Sequence, residues 1–238
     1  MTVLDELDEL VDRYVCENRW LNEPITLGRA RAFAIQHRLN TRQRNSVLKL
    51  RVATNVPDWD LRIRLIGSVT QEVVGDHEFA GGRPHWMVVE DLGMALGLTT
   101  EQMRSANPSG STELAWAAWQ GLMAESHWLE GIVANTCAER PNVPGYGRGQ
   151  VRTLGWSGYD RRRWHETLSL ADDQLTFWKV HSEADLDHSN TGWNAVAEHA
   201  ARLHMEGAVV DACRRNLIVW KHYWEGIADW GDQHERDW

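Results

Sequence analysis

An all-α helical bundle is the fold class that the sequence predicts, and three observations lead there. Apolar residues recur at helical spacings along most of the 238-residue chain, and no alternating strand pattern of useful length appears. The links between the periodic stretches are short and rich in proline, glycine and small polar residues. Tryptophan dominates the aromatic residues, with 14 Trp against 4 Tyr and 3 Phe, and Trp116, Trp119, Trp128, Trp164, Trp178, Trp220 and Trp224 fall at helical spacings that suit large core side chains at helix contacts. The length supports one sizeable core and no break argues for two, so residues 1–238 are expected to form a single domain of about seven helices.

Taken in order, a first helix is expected over about 3–20, stopping before Pro24, and a second over about 27–54, ending before "NVPDWD". Asp58 or Asp60 can cap a third, about 60–75, which closes at Gly75. "HEFAGGR" then reads as a Gly-rich connection, and Pro84 suits the first turn of a fourth helix that runs to about 96. "SANPSGST" separates this from a long helix over about 112–139. The two prolines and three glycines of "RPNVPGYGRG" make the strongest breaker in the chain. A helix from about 160 to 188 is expected to stop at "SNTG", and a last one to span about 193–229. There is no internal repeat and no low-complexity tract.

Composition excludes several classes. No apolar run reaches the ~18 residues needed to span a membrane. The start, "MTVLDELDELVDRY", is acidic and amphipathic where a signal peptide would be basic and then apolar, so a cytoplasmic protein is expected. Cys16, Cys137 and Cys213 are widely spaced and odd in number, which predicts neither a disulfide framework nor a thiolate zinc site. A net charge of −9 gives no overall field to attract a phosphate backbone, and "RRRW" at 161–164 is adequately explained as a solvated helix start.

The chemistry lies in charged residues that share the inward, apolar stripes of these helices. In "KVHSEADLDH", His181, Asp185 and His188 return to one face at about 100° per residue, while Glu183 and Asp187 fall on the far side. Glu72 is in line with Leu61, Leu65 and Val69, Glu139 with Trp128 and Ile132, and His85 with Val89, Leu92 and Leu96. Each alone has an ordinary explanation: HxxxDxxH on a helix is more often a polar cluster, Glu72 could pair with a core arginine, and Glu139 could end its helix. His77 competes with His85 for the same role. Together they set three imidazoles and three carboxylates toward one interior, where unneutralised carboxylates repel and lose hydration. Two divalent metal ions resolve this, leaving about one net positive charge, and the imidazole and carboxylate donors suit iron or manganese.

These residues carry a resemblance. The chain is similar to the haem-oxygenase-like diiron oxidases, relatives of the thiaminase and pyrroloquinoline-quinone-synthesis helical bundles, from about residue 25 to 225. "RAFAIQHRLNTRQRNSVLKLRVATNVPDWDLRIRLIGSVTQEVVGD" looks like the second and third helices of that family and "HWMVVEDLGMALGL" like the next. "EGIVANTCAE" and "HSEADLDH" look like its two remaining ligand segments. The family pattern of a Glu, a His, a second Glu and then HxxxDxxH falls on Glu72, His85, Glu139, His181, Asp185 and His188, with a longer connection between Glu72 and His85 than is usual. The resemblance implies a seven-helix haem-oxygenase-like bundle with two ferrous ions and dioxygen as co-substrate. It also implies hydrogen abstraction from an amino acid or similar small carboxylate, with desaturation, carbon–carbon scission or amine ring closure, in specialised metabolism. N-oxygenation on the same site is the alternative within the family. An electron donor and a homodimer stay open.

Two rivals use the same sequence differently. A metal-free, thiaminase-like enzyme would use Cys137 as nucleophile, although "ANTCAERPN" lacks the tyrosines of that family. A non-enzymatic bundle would bind a partner through exposed tryptophans. Arg29, Arg31, Arg38 and Arg42 are candidate anchors for a substrate carboxylate, each also explained as a surface charge.

Overall fold

The computed structural model describes residues 1–235. Helix α1 (Val3–Glu17) opens on a reciprocal capping box between Thr2 and Asp5, and a single turn, α2 (Arg19–Asn22), follows before Pro24. Helix α3 (Leu27–Arg42), capped by Thr26, runs without a break into a π-helical segment, Gln43–Leu48, and then into α4 (Lys49–Asn55). Asp58 caps α5 (Trp59–Val73), its side chain accepting from the Leu61 N–H at 2.8 Å. A Gly-rich loop leads to α6 (His85–Ala95), and Gly97, at φ 85°, ends that helix before α7 (Thr100–Ser105). Helix α8 (Gly110–Trp119), a second π-helical segment (Gln120–Ala124) and α9 (Trp128–Thr136) follow, then a 3-10 turn, Arg140–Asn142. The chain closes with α10 (Gly149–Leu168), α11 (Thr176–His199) and α12 (Glu206–Gln233). No strand forms among the described residues, where Asp76 and Arg83 make an isolated bridge.

Helix α12 packs against α1, α3, α8 and α9, while α11 packs on α9 and α10, and α3 on α6. One hydrophobic cluster runs through these contacts from Leu7 to Ala228. Of the seven tryptophans singled out by their helical spacing, Trp119, Trp164, Trp178, Trp220 and Trp224 are buried in it and Trp116 and Trp128 are half-buried against it; Trp20, Trp156 and Trp193 are buried as well, whereas Trp59 is 65 % exposed.

The expected set of about seven helices is divided more finely, with α1 and α2 separated at Asn18 and the short α7 added, and three further boundaries move. The stretch 112–139 is divided at residues 125–127, where His127 caps α9, so Glu139 lies beyond a helix end, immediately before the 3-10 turn. The helix expected from 160 begins at 149, kinks at Gly155 and stops at Leu168, where Ser169 turns left-handed at φ 57°. "RRRW" is therefore mid-helix, with Arg161 paired to Asp172 at 2.9 Å and Arg162 to Glu166 at 2.8 Å. Helix α11 in turn passes straight through "SNTG" to His199, and the last helix starts at 206. Packing overrides the local stop signal there. Ser189 is fully buried, and Gly192 sits so close to α9 that a Cβ on it would lie 1.8 Å from Thr136 Oγ1. Gly155 has a like role in α10. At φ 71° it takes a conformation that side chains disfavour, and a Cβ would lie 2.0 Å from the Asn142 carbonyl, so the kink seats α10 on the 3-10 turn.

Candidate metal centre

Glu72, in the last turn of α5, is buried on the face that also carries Leu65 and Val69. The loop after α5 doubles back because Asp76 and Arg83 pair across it (Asp76 N–H to Arg83 carbonyl, 3.1 Å; Gly82 N–H to Asp76 carbonyl, 2.6 Å). The longer connection noted in the sequence is thus a closed hairpin-like loop, and it returns His85, first residue of α6, to Glu72, with Nδ1 3.2 Å from Oε2. His85 Nε2 donates to Asp76 Oδ2 at 3.0 Å, while Asp76 Oδ1 accepts from the N–H groups of Glu78 and Phe79. His181, on α11, donates Nδ1–H to the Phe177 carbonyl at 2.9 Å, which leaves Nε2 for the site. Glu72, His85 and His181 each bring a ligand-type atom to within 4.8 Å of the other two. His77, the competing histidine, is exposed and packs its ring against Gly82.

Glu139, Asp185 and His188 form a second group within the same 4.8 Å limit. Asp185 and His188 share the inward face of α11, and the exposed Glu183 and Asp187 lie on its other side. Asp185 Oδ2 accepts from Asn142 Nδ2 at 2.5 Å, and Asn142 Oδ1 accepts from Ser157 N–H and Oγ–H at 3.0 and 2.7 Å. His188 Nε2 donates to Gln71 Oε1 at 2.9 Å. All six residues singled out in the sequence therefore come together, as two groups of one or two carboxylates with one or two imidazoles.

Sequence periodicity missed a cation between them. Lys49, 2 % exposed, places Nζ 2.7 Å from Glu139 Oε1 and 3.2 Å from Glu72 Oε1, touching one carboxylate of each group. Burial works against its ammonium, but Glu139 and Glu72 more than offset this and hold its pKa above the ordinary lysine value. Burial likewise opposes charge on His85, and Glu72 beside it, with the Asp76 hydrogen bond, raises it to about 9. Burial pushes His181 down, toward the neutral form a metal requires. Part of the neutralisation that the sequence reading gives wholly to metal is thus supplied by the chain itself.

The residues nonetheless fit a pair of metal ions. Glu139 Oε2 is buried without a hydrogen-bond partner among the described residues, and Glu72 Oε2 and His85 Nδ1 have only each other, as an ion-pair contact at 3.2 Å with no hydrogen bond, so a metal ion that displaced the His85 proton would find an open ligand atom in both groups. The donors are imidazole and carboxylate with no thiolate, which suits iron or manganese. Asp76 has the place of an outer carboxylate that fixes a histidine ligand. Asp76→Asn, which keeps an oxygen for the loop N–H groups, is expected to weaken one of two bound metal ions by about 10- to 100-fold in a competitive metal titration, with unchanged circular dichroism. Two ions held as in the parent would remove Asp76 from the site.

A cavity of about 60 Å³ adjoins both groups, with Glu72, Glu139, His181 and Asp185 in its wall. Trp156, Phe177, Trp178, Trp220 and Trp224 form its apolar lining, and His37 and Arg44 also face it. Burial pushes His37 down to about 3, so it is neutral at ordinary pH. The four arginines considered from the sequence lie elsewhere: Arg29 binds Asp232, Arg31 the Leu96 carbonyl and Arg38 Glu90, while Arg42 is exposed. Cys137 is fully buried, accepts a hydrogen bond from Asn216 at 2.9 Å and does not line the cavity, which leaves a nucleophilic role without access to substrate.

No protein-family model and no curated protein matches the chain. Among solved structures it resembles a domain of unknown function with a haem-oxygenase-like fold from Shewanella denitrificans, at 16 % identity and a TM-score of 0.68 over 98 % of this chain and 91 % of that one. The fold is therefore haem-oxygenase-like and all-α. At that identity the likeness extends to the fold alone. Among the described residues no helix is long and apolar enough to cross a membrane.

Proposed function

We propose that the chain is a non-haem diiron oxidase, with Glu72, His85 and His181 holding one ferrous ion and Glu139, Asp185 and His188 the other. The observation that supports this most is the pair of buried carboxylate–imidazole groups, with unpartnered ligand atoms, opening on one tryptophan-lined cavity. When bound, two ferrous ions supply the reduction of dioxygen and the oxidising strength to remove a substrate hydrogen. The chain's own residues do the rest. Asp76 and the Phe177 carbonyl set the orientation of His85 and His181, and Asn142 and Gln71 do the same for Asp185 and His188. The indoles around the cavity exclude water, so that oxidation falls on the substrate.

The substrate class we assign is an amino acid or similar small carboxylate, changed by desaturation, carbon–carbon scission or ring closure onto the amine. N-oxygenation is the second reading. Against it stands the cavity wall, which among the described residues holds no carboxylate beyond Glu72, Glu139 and Asp185 to serve a further role. A small molecule, rather than nucleic acid or a membrane, is the partner; an external electron donor, self-association, a cytoplasmic setting and a place in specialised metabolism are compatible with the proposal.

Protein loaded anaerobically with ferrous iron is expected to retain about two irons per chain, and a screen of free amino acids to reveal substrate-triggered oxygen consumption. Products should have lost hydrogen and carry no label from dioxygen. Absence of iron would sink the diiron reading, and a product heavier by one labelled oxygen would replace hydrogen abstraction with oxygenation.

A further inference from the structure

The cavity wall includes a buried cation that no carboxylate among the described residues pairs with. Arg44, in the π-helical segment, is 1 % exposed. Its Nη1 donates to Asn45 Oδ1 at 2.9 Å and its Nη2 to the carbonyls of Ala134 and Asn135 at 3.3 and 3.2 Å. The guanidinium carbon lies 5.2 Å from the Trp119 ring centre and 4.7 Å from that of Trp220. Glu72 and Glu139 pair with Lys49 instead, and Arg44 Nε has no partner among the described residues. Of the four buried indole nitrogens without an acceptor among the described residues, those of Trp178 and Trp220 belong to residues that line the same cavity, while those of Trp119 and Trp164 do not.

Three unsatisfied buried donors, one of them cationic, call for an acceptor that bears negative charge. The charge sum points the same way. Lys49 and Arg44 raise the excess of two divalent ions over three carboxylates to about +3, where the ligand residues alone leave about +1. The cavity has room for roughly four to six waters, the size of a carboxylate with its neighbouring carbon and amine.

We propose that Arg44, with the indole N–H groups of Trp178 and Trp220, anchors the carboxylate of the substrate, which is therefore a small amino or aliphatic acid held with its carbon chain toward the two carboxylate–imidazole groups. This rests on the diiron oxidase reading for what happens to the substrate, though the anchoring itself needs only the cavity. A purely structural Arg44, holding the last carbonyls of α9, is the competing account, and it predicts no preference for acids.

The test is calorimetry on the full chain, both metal-free and loaded with manganese(II), with oxygen excluded. The probes are the smaller proteinogenic L-amino acids and short-chain fatty acids, each compared with its primary amide. At least one acid is expected to bind, with its amide weaker by roughly 10- to 100-fold. Arg44→Gln should lose that preference while still binding about two metal ions, and Arg44→Lys should recover part of it. Equal binding of acid and amide, binding of no acid at all, or an Arg44→Gln chain with undiminished preference would each overturn the anchor. Should the variant fail to fold, the acid and amide comparison on the parent still decides. Two metal ions without acid preference defeats the anchor alone, whereas acid preference in a chain that binds no metal defeats the oxidase alone.

Discussion

Asp185→Ala is expected to bind one divalent metal ion per chain where the parent binds two, and to lose oxygen-dependent turnover by at least about 100-fold. The side chain belongs to one group only, with Glu139 and His188, so Glu72, His85 and His181 keep their geometry in the variant. Glu72→Ala should give the mirror result, one ion held by Glu139, Asp185 and His188, and the double variant none. Metal analysis after anaerobic loading and desalting reads all three. The pattern of one, one and none separates two independent groups from a single cluster of polar residues, for which either substitution would remove everything or nothing. A single variant that retains both ions and full turnover would show that the site has been assigned to the wrong residues. In the metal-free chains stability should separate the two variants. Removing a buried carboxylate relieves like charge, but Glu72 also pairs with Lys49, so Glu72→Ala is the variant expected to fold less well.

How far the sequence carried the reading depends on whether helical phase was kept. His181, Asp185 and His188 were legible because α11 is an uninterrupted α-helix across them, and the step of about 100° per residue holds. Arg44 and Lys49 were not, because Arg44 lies inside the π-helical segment Gln43–Leu48 and Lys49 follows it, and that segment shifts the phase on which a stripe at α-helical spacing depends. The single helix expected over about 27–54 hides the change of phase, since a π-helical segment keeps the helix continuous. Asp76 and Asn142 lie in the loop and the 3-10 turn, where no periodicity applies; what could have drawn attention to Asp76 is a carboxylate within the Gly-rich connection beside His85. The misplaced break in the last third has a different cause. "SNTG" has the composition of a helix end, but the approach of Gly192 to Thr136 needs α11 to continue, a demand of tertiary packing that no local signal carries. The break that does occur follows Ser169, in a stretch with neither proline nor glycine to mark it.

Lys49→Met is the change that best distinguishes a metal centre from a structural salt-bridge cluster. In the metal-free chain Lys49 Nζ serves Glu72 and Glu139 together, and both the lysine and Glu72 are almost wholly buried. Removing one partner of such a pair leaves uncompensated charge in the interior, a loss of about 3–5 kcal/mol. For a chain of this length that corresponds to a fall in Tm of roughly 6–20 °C. Manganese(II) or ferrous iron, added without oxygen, should reverse most of that fall, because divalent ions between Glu72, Glu139 and their histidines take over the neutralisation and no longer meet an ammonium in the same space. The rise in Tm on adding metal should accordingly be larger in Lys49→Met than in the parent. If the lysine, the two glutamates and the histidines were only a buried network, metal would stabilise neither chain, and the loss would persist. A Lys49→Met chain as stable as the parent before any metal is added would show instead that the carboxylates are neutralised by other means, with His85, held protonated beside Glu72 and Asp76, the first group to examine.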